Sequence, residues 1–151
     1  MKPLVIHKHW FGLFLIILSG ILLAISVLAV ALLIPAVNLA AAVLLAGEVS
    51  TLLVSLIAIW VYQHNAIIIH RDRIEFRNQY NLLSARSSEC AMWEVQDVSY
   101  TQVGLFPALI GYGTLMVQTA GTQEKFTFSF TPKPEWVKDY IEGLEVQEHA
   151  L

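Results

Sequence analysis

The chain has 151 residues, of which 56% are hydrophobic and only 14% are charged, and its mean hydropathy is +0.61. A soluble globule of this size does not carry so apolar a composition, which excludes a purely water-soluble protein. The net charge of -3 and the pI of 5.9 exclude a nucleic-acid-binding protein, because counterion release needs clustered lysine and arginine. Trp10 to Gly47 contains no charged residue, whereas most charges follow Gln63. We therefore predict a membrane segment over residues 1–62 and a polar domain over residues 63–151.

Two long apolar segments lie in the first part of the chain. Residues 10–34 are uncharged and would form a helix of about 37 Å, enough to cross a hydrocarbon core of about 30 Å. This run is about twice as long as that of a signal peptide and is followed at once by a second, so we predict an uncleaved transmembrane helix. Pro35 and Asn38 interrupt the pattern, and a second span is predicted from Leu39 to Tyr62. So short a connection predicts an antiparallel helical hairpin.

The flanking charges predict the orientation of this hairpin. Lys2 and Lys8 precede the first span and several arginines follow the second, whereas the connection between the spans is uncharged. By the positive-inside rule, we expect an integral protein of the cytoplasmic (inner) membrane with both termini in the cytoplasm. Small residues of the second span permit close helix approach. They are Ala40, Ala41, Ala42, Ala46, Gly47, Ser50 and Ser55.

Glu48 is the one charged residue inside the predicted spans. A carboxylate at the centre of a membrane helix costs about 2.5 to 3.5 kcal/mol, so it needs a partner. One interpretation is a proton or ion site in a small transporter or channel subunit. The other is a polar contact with Ser50, Thr51 or Ser19, or with a second copy in a homo-oligomer. Two helices do not enclose a pathway by themselves, which favours the polar contact.

In the second part of the chain the apolar pattern alternates, as is typical of β-strands. Residues 66–70 and 74–77 flank a turn at Arg71 and Asp72, which predicts a hairpin. Residues 78–88 are polar and predict a turn-rich loop around Leu82 and Leu83. More strand is predicted at 90–93 and 95–100, where a phase slip between Val95 and Val98 indicates a bulge or a turn.

Two further strands and a helix complete the predicted domain. Residues 114–119 alternate, a turn is expected at 120–122, and Phe126, Phe128 and Phe130 predict a strand with one buried face. After Pro132 and Pro134, an amphipathic helix is predicted to end near Gly143, before a frayed tail at 145–151. These elements predict a small antiparallel barrel, or a strongly bent sheet, with one end closed by the helix. The apolar stripe of that helix is Trp136, Val137, Tyr140, Ile141 and Leu144.

The remaining motifs give no sign of catalysis. Gly111 and Gly113 predict a tight backbone bend, because the spacing of a nucleotide-binding loop is missing. Cys90 is interpreted as a small buried side chain, and the histidines lack metal-ligand spacing. With no catalytic triad, carboxylate pair or phosphate loop, we predict no enzyme activity, no metal and no cofactor. The apolar run Leu105–Ile110, which includes Phe106, either packs over the barrel or dips into lipid or a partner, and we expect packing.

Three segments carry a family resemblance. They are Asp72–Ile74, Trp93–Val98, and Leu109–Thr114 with the strand that ends at Gly121. In these segments the chain resembles the bacterial pleckstrin-homology-like (PH-like) domains of the YdbS/YdbT membrane-protein family, once a domain of unknown function. The resemblance implies about seven strands and a C-terminal helix, commonly placed after two membrane helices, and it implies little about activity.

These observations lead to an expected function. We expect a non-enzymatic, membrane-anchored interaction or scaffold protein that displays its PH-like domain at the cytoplasmic face, as a homo-oligomer or with a membrane-protein partner. One or two residues near Gln63 join the second span to the first strand, and this short tether raises the effective concentration between neighbouring domains. The alternative is lipid-headgroup binding, although residues 104–110 offer no basic side chain. The candidate lipid or partner contacts are Arg71, Arg73, Arg77, Arg86 and Phe106.

Overall fold

The computed structural model describes residues 3–120 and 125–149, with side chains up to Glu145. The chain divides into two compact units: a helical hairpin, Trp10–Tyr62, and a β domain made of the residues up to His9 and from Gln63 onward. The predicted boundary therefore needs a correction, because the N-terminal residues belong to the β domain rather than to the hairpin. Lys2, residues 121 and 122 of the predicted turn, and residues 150–151 of the predicted tail lie outside the described residues.

The hairpin consists of α1, Trp10–Leu32, and α2, Val37–Gln63. Each helix is long and apolar enough to cross a membrane, and an 18-residue stretch of each has a mean hydropathy of 3.0 in α1 and 2.2 in α2. The helices run antiparallel, since Gly20 lies against Ser55 and Gly47 lies against Val27. A Cβ atom added to Gly47 would approach Cγ1 of Val27 to 2.5 Å. Two of the predicted small residues, Gly47 and Ser55, thus lie where the helices meet.

The β domain contains two antiparallel sheets, in the orders β1-β2-β3-β4 and β5-β6-β7. Within the described residues these sheets share no hydrogen-bonded strand pair, so the domain is an open two-sheet structure and not a closed barrel. The seven strands and the C-terminal helix confirm the predicted PH-like fold class. The strands are β1 Leu4–His7, β2 Ala66–Ile69, β3 Arg73–Asn81, β4 Ser84–Ala91, β5 Val95–Thr101, β6 Tyr112–Thr119 and β7 Lys125–Pro132. The helices are α3 Leu105–Ile110 and α4 Pro134–His149.

Strand β1 was not predicted. It pairs antiparallel with β2, so that Leu4 lies opposite Ile69 and His7 lies opposite Ala66. The hairpin is therefore inserted between two adjacent strands of one sheet. The strand has only four residues and lies beside a long apolar span. So short an alternation cannot be distinguished by pattern from the end of a membrane helix.

Strands β3 and β4 extend through most of the segment that was predicted as a loop. The turn lies at Leu82 and Leu83, as expected, but backbone pairing continues to the pair of Asn78 with Arg86 and beyond. The Asn65 side chain supports this extension: its Oδ1 accepts a hydrogen bond from the Gln79 amide at 3.1 Å. Mostly polar side chains on both faces hid these strands from a periodicity argument. Met92 and Trp93, predicted as strand, form a short 3₁₀ helix with Glu94.

The core lies between the two sheets and α4. The predicted hairpin of β2 and β3, the bulge between Val95 and Asp97, and the buried alternation of β6 are confirmed. Phe128 is buried, and Phe126 stacks on Phe76 with ring centroids 5.0 Å apart. The larger fully buried side chains are Ile67, Ile69, Ile74, Phe76, Met92, Leu115, Val117, Phe128, Val137 and Ile141.

Helix α4 is longer than predicted. It continues to His149, so the frayed tail predicted from residue 145 is wrong. An interior glycine such as Gly143 costs a helix about 1 kcal/mol, which is not enough to end it. The apolar stripe places Val137 and Ile141 in the core, whereas Trp136 is exposed and stacks on Tyr140.

Candidate functional site

The four arginines proposed as contacts do not form one cluster. On β3, Arg73 lies 3.5 Å from Asp72 and 3.8 Å from Glu89. Arg77 Nε donates a hydrogen bond to Oε1 of Glu75 at 2.6 Å. Neighbouring carboxylates therefore balance the charges of Arg73 and Arg77, which weakens this strand as an anion-binding surface.

Glu75 organises the outer face of β3. Ile74 and Phe76 point into the core. The strand alternation therefore turns Arg73, Glu75 and Arg77 away from it. Ser87 Oγ on β4 donates a second hydrogen bond to Oε1 of Glu75 at 3.0 Å. The Arg77 guanidinium lowers the pKa of Glu75 below its usual value, since both the hydrogen bond and the positive charge favour the carboxylate.

Arg86 lies elsewhere, in a cleft between the two sheets. On the inner face of the sheet, Ile74 of β3 pairs with Cys90 of β4, and two pairs further along Asn78 pairs with Arg86. The side chains become more exposed from the first of these pairs to the last. The core thus gives way to a polar cleft of about 360 Å³ beside Phe126. Its lining residues are Asn78, Tyr80, Arg86, Ser88, Lys125, Phe126 and Thr127.

This cleft brings together two cations, Arg86 and Lys125, with the hydroxyls of Ser88 and Thr127. Such a set of donors suits an anionic group, because guanidinium, ammonium and hydroxyl groups all hydrogen-bond to phosphate or carboxylate oxygens. Sequence reasoning did not identify Lys125 as a candidate contact. Its position opposite Arg86 depends on how two separate sheets face each other, and no local pattern contains that information. Arg71 lines a different and smaller cavity of about 150 Å³, with His70 and Asp72.

Strand β4 forms one edge of the four-stranded sheet. It is hydrogen-bonded to β3 on one side, and among the described residues no strand pairs with its other side. Its residues from Ser84 to Ser87 are exposed, and all but Ala85 are polar. An edge of this kind offers backbone donors and acceptors to a further strand.

Helix α3 contradicts the expectation that residues 105–110 pack over the domain. None of its residues is buried, and Leu105 and Leu109 are 70% and 73% exposed. The backbone around the helix is nevertheless well held: the Gln102 side-chain amide donates to the carbonyl oxygens of Pro107, at 2.6 Å, and Tyr112, at 3.1 Å. Phe106 is exposed on the same helix.

The two predicted turn glycines flank the start of β6. Gly111 ends α3 in the left-handed conformation, with φ of 78°, where a side chain is unfavourable. A Cβ atom at Gly113 would lie 2.8 Å from the carbonyl oxygen of Thr101 on the neighbouring strand. Both positions therefore favour glycine for reasons of backbone geometry.

Glu48 lies on α2 and is half-buried within the hairpin. Among the described residues, nothing hydrogen-bonds or ion-pairs with its carboxyl group. The hydroxyls of Ser19 and Ser50, which were considered as partners, donate instead to backbone carbonyls of their own helices, those of Ile16 and Ala46. Thr51, the third considered partner, is buried.

Cys90 is 3% exposed, as predicted for a small core side chain. Burial raises the pKa of its thiol to about 11, so the reactive thiolate is scarce at neutral pH. In the part of the chain that the structure describes, no group of three or more histidine, cysteine, aspartate or glutamate residues is placed to hold a metal ion.

The chain is similar to a known protein family. A family model described as the bacterial PH domain matches residues 10–144. This range includes the hairpin and β2 through β7, and it leaves β1 outside. No curated protein matches the sequence.

Proposed function

Because the chain belongs to the bacterial PH domain family, we propose that it is a non-enzymatic, membrane-anchored interaction protein that presents its PH-like domain at one membrane face. The observation that carries this proposal is the insertion of the hairpin between β1 and β2. Both ends of the hairpin continue into neighbouring strands of one sheet. The two spans must therefore start and finish on the same side of the bilayer.

The connectors support a close tether. Only Lys8 and His9 separate β1 from α1, and only His64 and Asn65 separate α2 from β2. Two residues span at most about 7 Å, so the β domain stays near the membrane surface. The flanking lysines and arginines favour the cytoplasmic face. Confinement to a surface raises the effective concentration between copies of the domain and any membrane partner.

Two features support self-association as the mode of interaction. The exposed edge of β4 suits strand addition by a second protein chain. In the hairpin, Glu48 has no hydrogen-bond or ion-pair partner among the described residues, and a carboxyl group in lipid is stabilised by a polar group from another helix. We therefore propose a homo-oligomer in which Glu48 contacts a second copy.

The experiment combines crosslinking with mass spectrometry on membranes that contain the full chain. We expect crosslinks between copies near Glu48 or along β4, or links to a membrane partner. Glu48→Leu should reduce crosslinking between hairpins, whereas Glu48→Gln, which keeps hydrogen-bonding groups, should reduce it less. A chain that stays monomeric and without a partner contradicts the scaffold function. Ion flux through proteoliposomes that depends on Glu48 would support a transport subunit instead.

The cleft of Arg86 and Lys125 favours a second candidate function, recognition of an anionic lipid headgroup. Native mass spectrometry of the full chain, released from mixed neutral and anionic lipids, tests it. The double variant Arg86→Ala, Lys125→Ala should lose retained anionic lipid. The matched control Arg73→Ala, Arg77→Ala removes the same charge from outside the cleft and should retain anionic lipid. Equal retention by both variants excludes the cleft.

A further inference from the structure

We propose that the α3 surface, defined as Val103, Leu105, Phe106 and Leu109, inserts into the lipid–water interface of the bilayer. This would give the β domain a second membrane contact, separate from the hairpin. The inference rests on the proposed function, because it requires the hairpin to be in a membrane. From the sequence we expected residues 105–110 to pack over the domain, with contact to lipid or a partner as the alternative, and the exposure of this surface favours the alternative.

The α3 surface is apolar and largely exposed. Its four side chains are all exposed, and α3 has no buried residue. Leu105 and Leu109 are four residues apart, so they lie on the same side of the helix. Small soluble domains rarely expose several large apolar side chains side by side unless a partner or a membrane covers them. Core packing therefore does not explain these residues.

The chain segment around α3 contains no charged residue. No aspartate, glutamate, lysine or arginine occurs from Val98 to Ala120. Insertion of this segment into the interface thus requires no charged side chain to lose its hydration. The backbone groups at the ends of the helix are in part satisfied internally: the Gly111 amide bonds to Pro107 and the Gln102 side chain bonds to two carbonyl oxygens. This lowers the cost of moving the loop out of water.

The position of α3 within the β domain indicates which surface it meets. Gly111, which caps α3, is followed by Tyr112, whose ring stacks on His9 with centroids 5.5 Å apart. The His9 amide also donates to the Phe130 carbonyl oxygen at 2.6 Å. His9 is the last residue before α1, so α3 ends beside the point where the chain leaves the β domain for the membrane. The bilayer surface must lie near that point.

An apolar groove continues the α3 surface. It has a volume of about 390 Å³ and runs between β1, the end of α3 and the start of α4. Trp136 and Val5 at its rim are exposed, and tryptophan is enriched where membranes meet water. Lys133, also on the lining and exposed, carries a positive charge that suits lipid phosphates. Apolar anchors with a tryptophan and a lysine beside them favour lipid over a protein partner.

The test uses fluorescent labels on the full chain in liposomes. In a Cys90→Ala background, single cysteines replace Leu109 on α3, Leu83 in the β3–β4 turn, and Ile21 in the middle of α1. Leu83 is 98% exposed and serves as the matched water-facing control. Each cysteine carries an environment-sensitive dye, which is quenched either by iodide in water or by spin-labelled lipid.

We expect lipid quenching and loss of iodide quenching at positions 109 and 21, and the reverse at position 83. Interfacial insertion should place position 109 shallower than position 21, at about 5–10 Å below the headgroups. If iodide quenches the dye at position 109 while lipid quenches the dye at position 21, this inference is overturned but the membrane-anchored function is not. Protection of 109 from both quenchers shows that protein covers α3, which also overturns it. If position 21 is not quenched by lipid, the membrane-anchored function itself fails.

Discussion

The hairpin and the β domain use the same apolar side chains in opposite ways. Leu23 of α1 is 49% exposed, whereas Leu115 of β6 is 0% exposed. The β domain buries apolar side chains such as Leu115 and most of its isoleucines in its core, as a structure in water must. The hairpin turns them outward, as a structure in lipid does, and keeps small residues where its helices meet. The difference supports the proposal that the hairpin lies in lipid and the β domain in water.

The α3 surface breaks this division, because it belongs to the β domain but follows the pattern of the hairpin. Val103, Leu105 and Leu109 are 79%, 70% and 73% exposed, more than the outward-facing Leu22 and Leu23 of α1, at 59% and 49%. The rest of the β domain buries most of its large apolar side chains, whereas those of the α3 surface are exposed. For this reason we assign the α3 surface to lipid. The predictions below test how far the two units differ.

Removal of β1 should have the largest effect. Deletion of residues 3–7 would uncover β2, whose Ile67 and Ile69 are fully buried, and would remove the packing of Ile6. We expect a loss of about 5 kcal/mol or more, beyond that of a single large-to-small core change. Urea unfolding of the full chain in nanodiscs, followed by tryptophan fluorescence, measures it. The control Val5→Ser alters an exposed residue of the same strand and should change little.

The same substitution in each unit gives the next effect. Leu115→Ala should lower the free energy of unfolding of the β domain by about 2–5 kcal/mol, because it leaves a cavity. Leu23→Ala removes the same atoms from an outward-facing position, where lipid fills the space, and should cost far less. Chemical unfolding in nanodiscs compares the two variants. Equal losses would mean that α1 packs against protein rather than lipid.

A glycine-to-alanine substitution should have opposite effects on stability in the two units. At Gly47 the new Cβ would press on Val27, and strain of this kind costs about 1–3 kcal/mol. At Gly143, in α4, nothing lies within 4 Å of the new atom, and the helix should gain about 0.5–1 kcal/mol. Helix–helix distance by spin labels reports the first change and thermal unfolding reports the second. A stabilising Gly47→Ala would contradict close packing of the hairpin.

The smallest effect concerns His9. Burial lowers its pKa below the usual value of 6.5, so the folded domain binds its proton less readily than the unfolded chain does. Stability should therefore fall as the pH drops below 6.5. The Glu75 carboxylate, whose pKa is also lowered, contributes its own loss only below 4.5. His9→Phe keeps a ring beside Tyr112 and should flatten the pH dependence of the unfolding midpoint between these values.

Sequence reasoning succeeded for segments that face a single environment along their whole length and therefore have a regular spacing of apolar residues. The two spans and the alternating phenylalanines of β7 were predicted because lipid or a sheet core imposes a regular spacing. It failed where structure depends on distant partners. Strand β1 forms only through β2, and the cleft depends on Lys125 facing Arg86 from another sheet. The exposure of Leu105 and Leu109 was missed because an apolar run signals burial unless the neighbouring solvent is known.

The interruption of one sheet by the hairpin also constrains biosynthesis. Strand β1 leaves the ribosome first but finds its neighbour only after both helices and β2 have been made. A contact between residues so distant in sequence forms late. Until the helices have been inserted and the chain has returned, β2 lacks its cover and the domain presents an open apolar edge. The sheet is therefore completed only after the whole hairpin has been made and the chain has returned to β1, so that assembly of the domain depends on that of the hairpin.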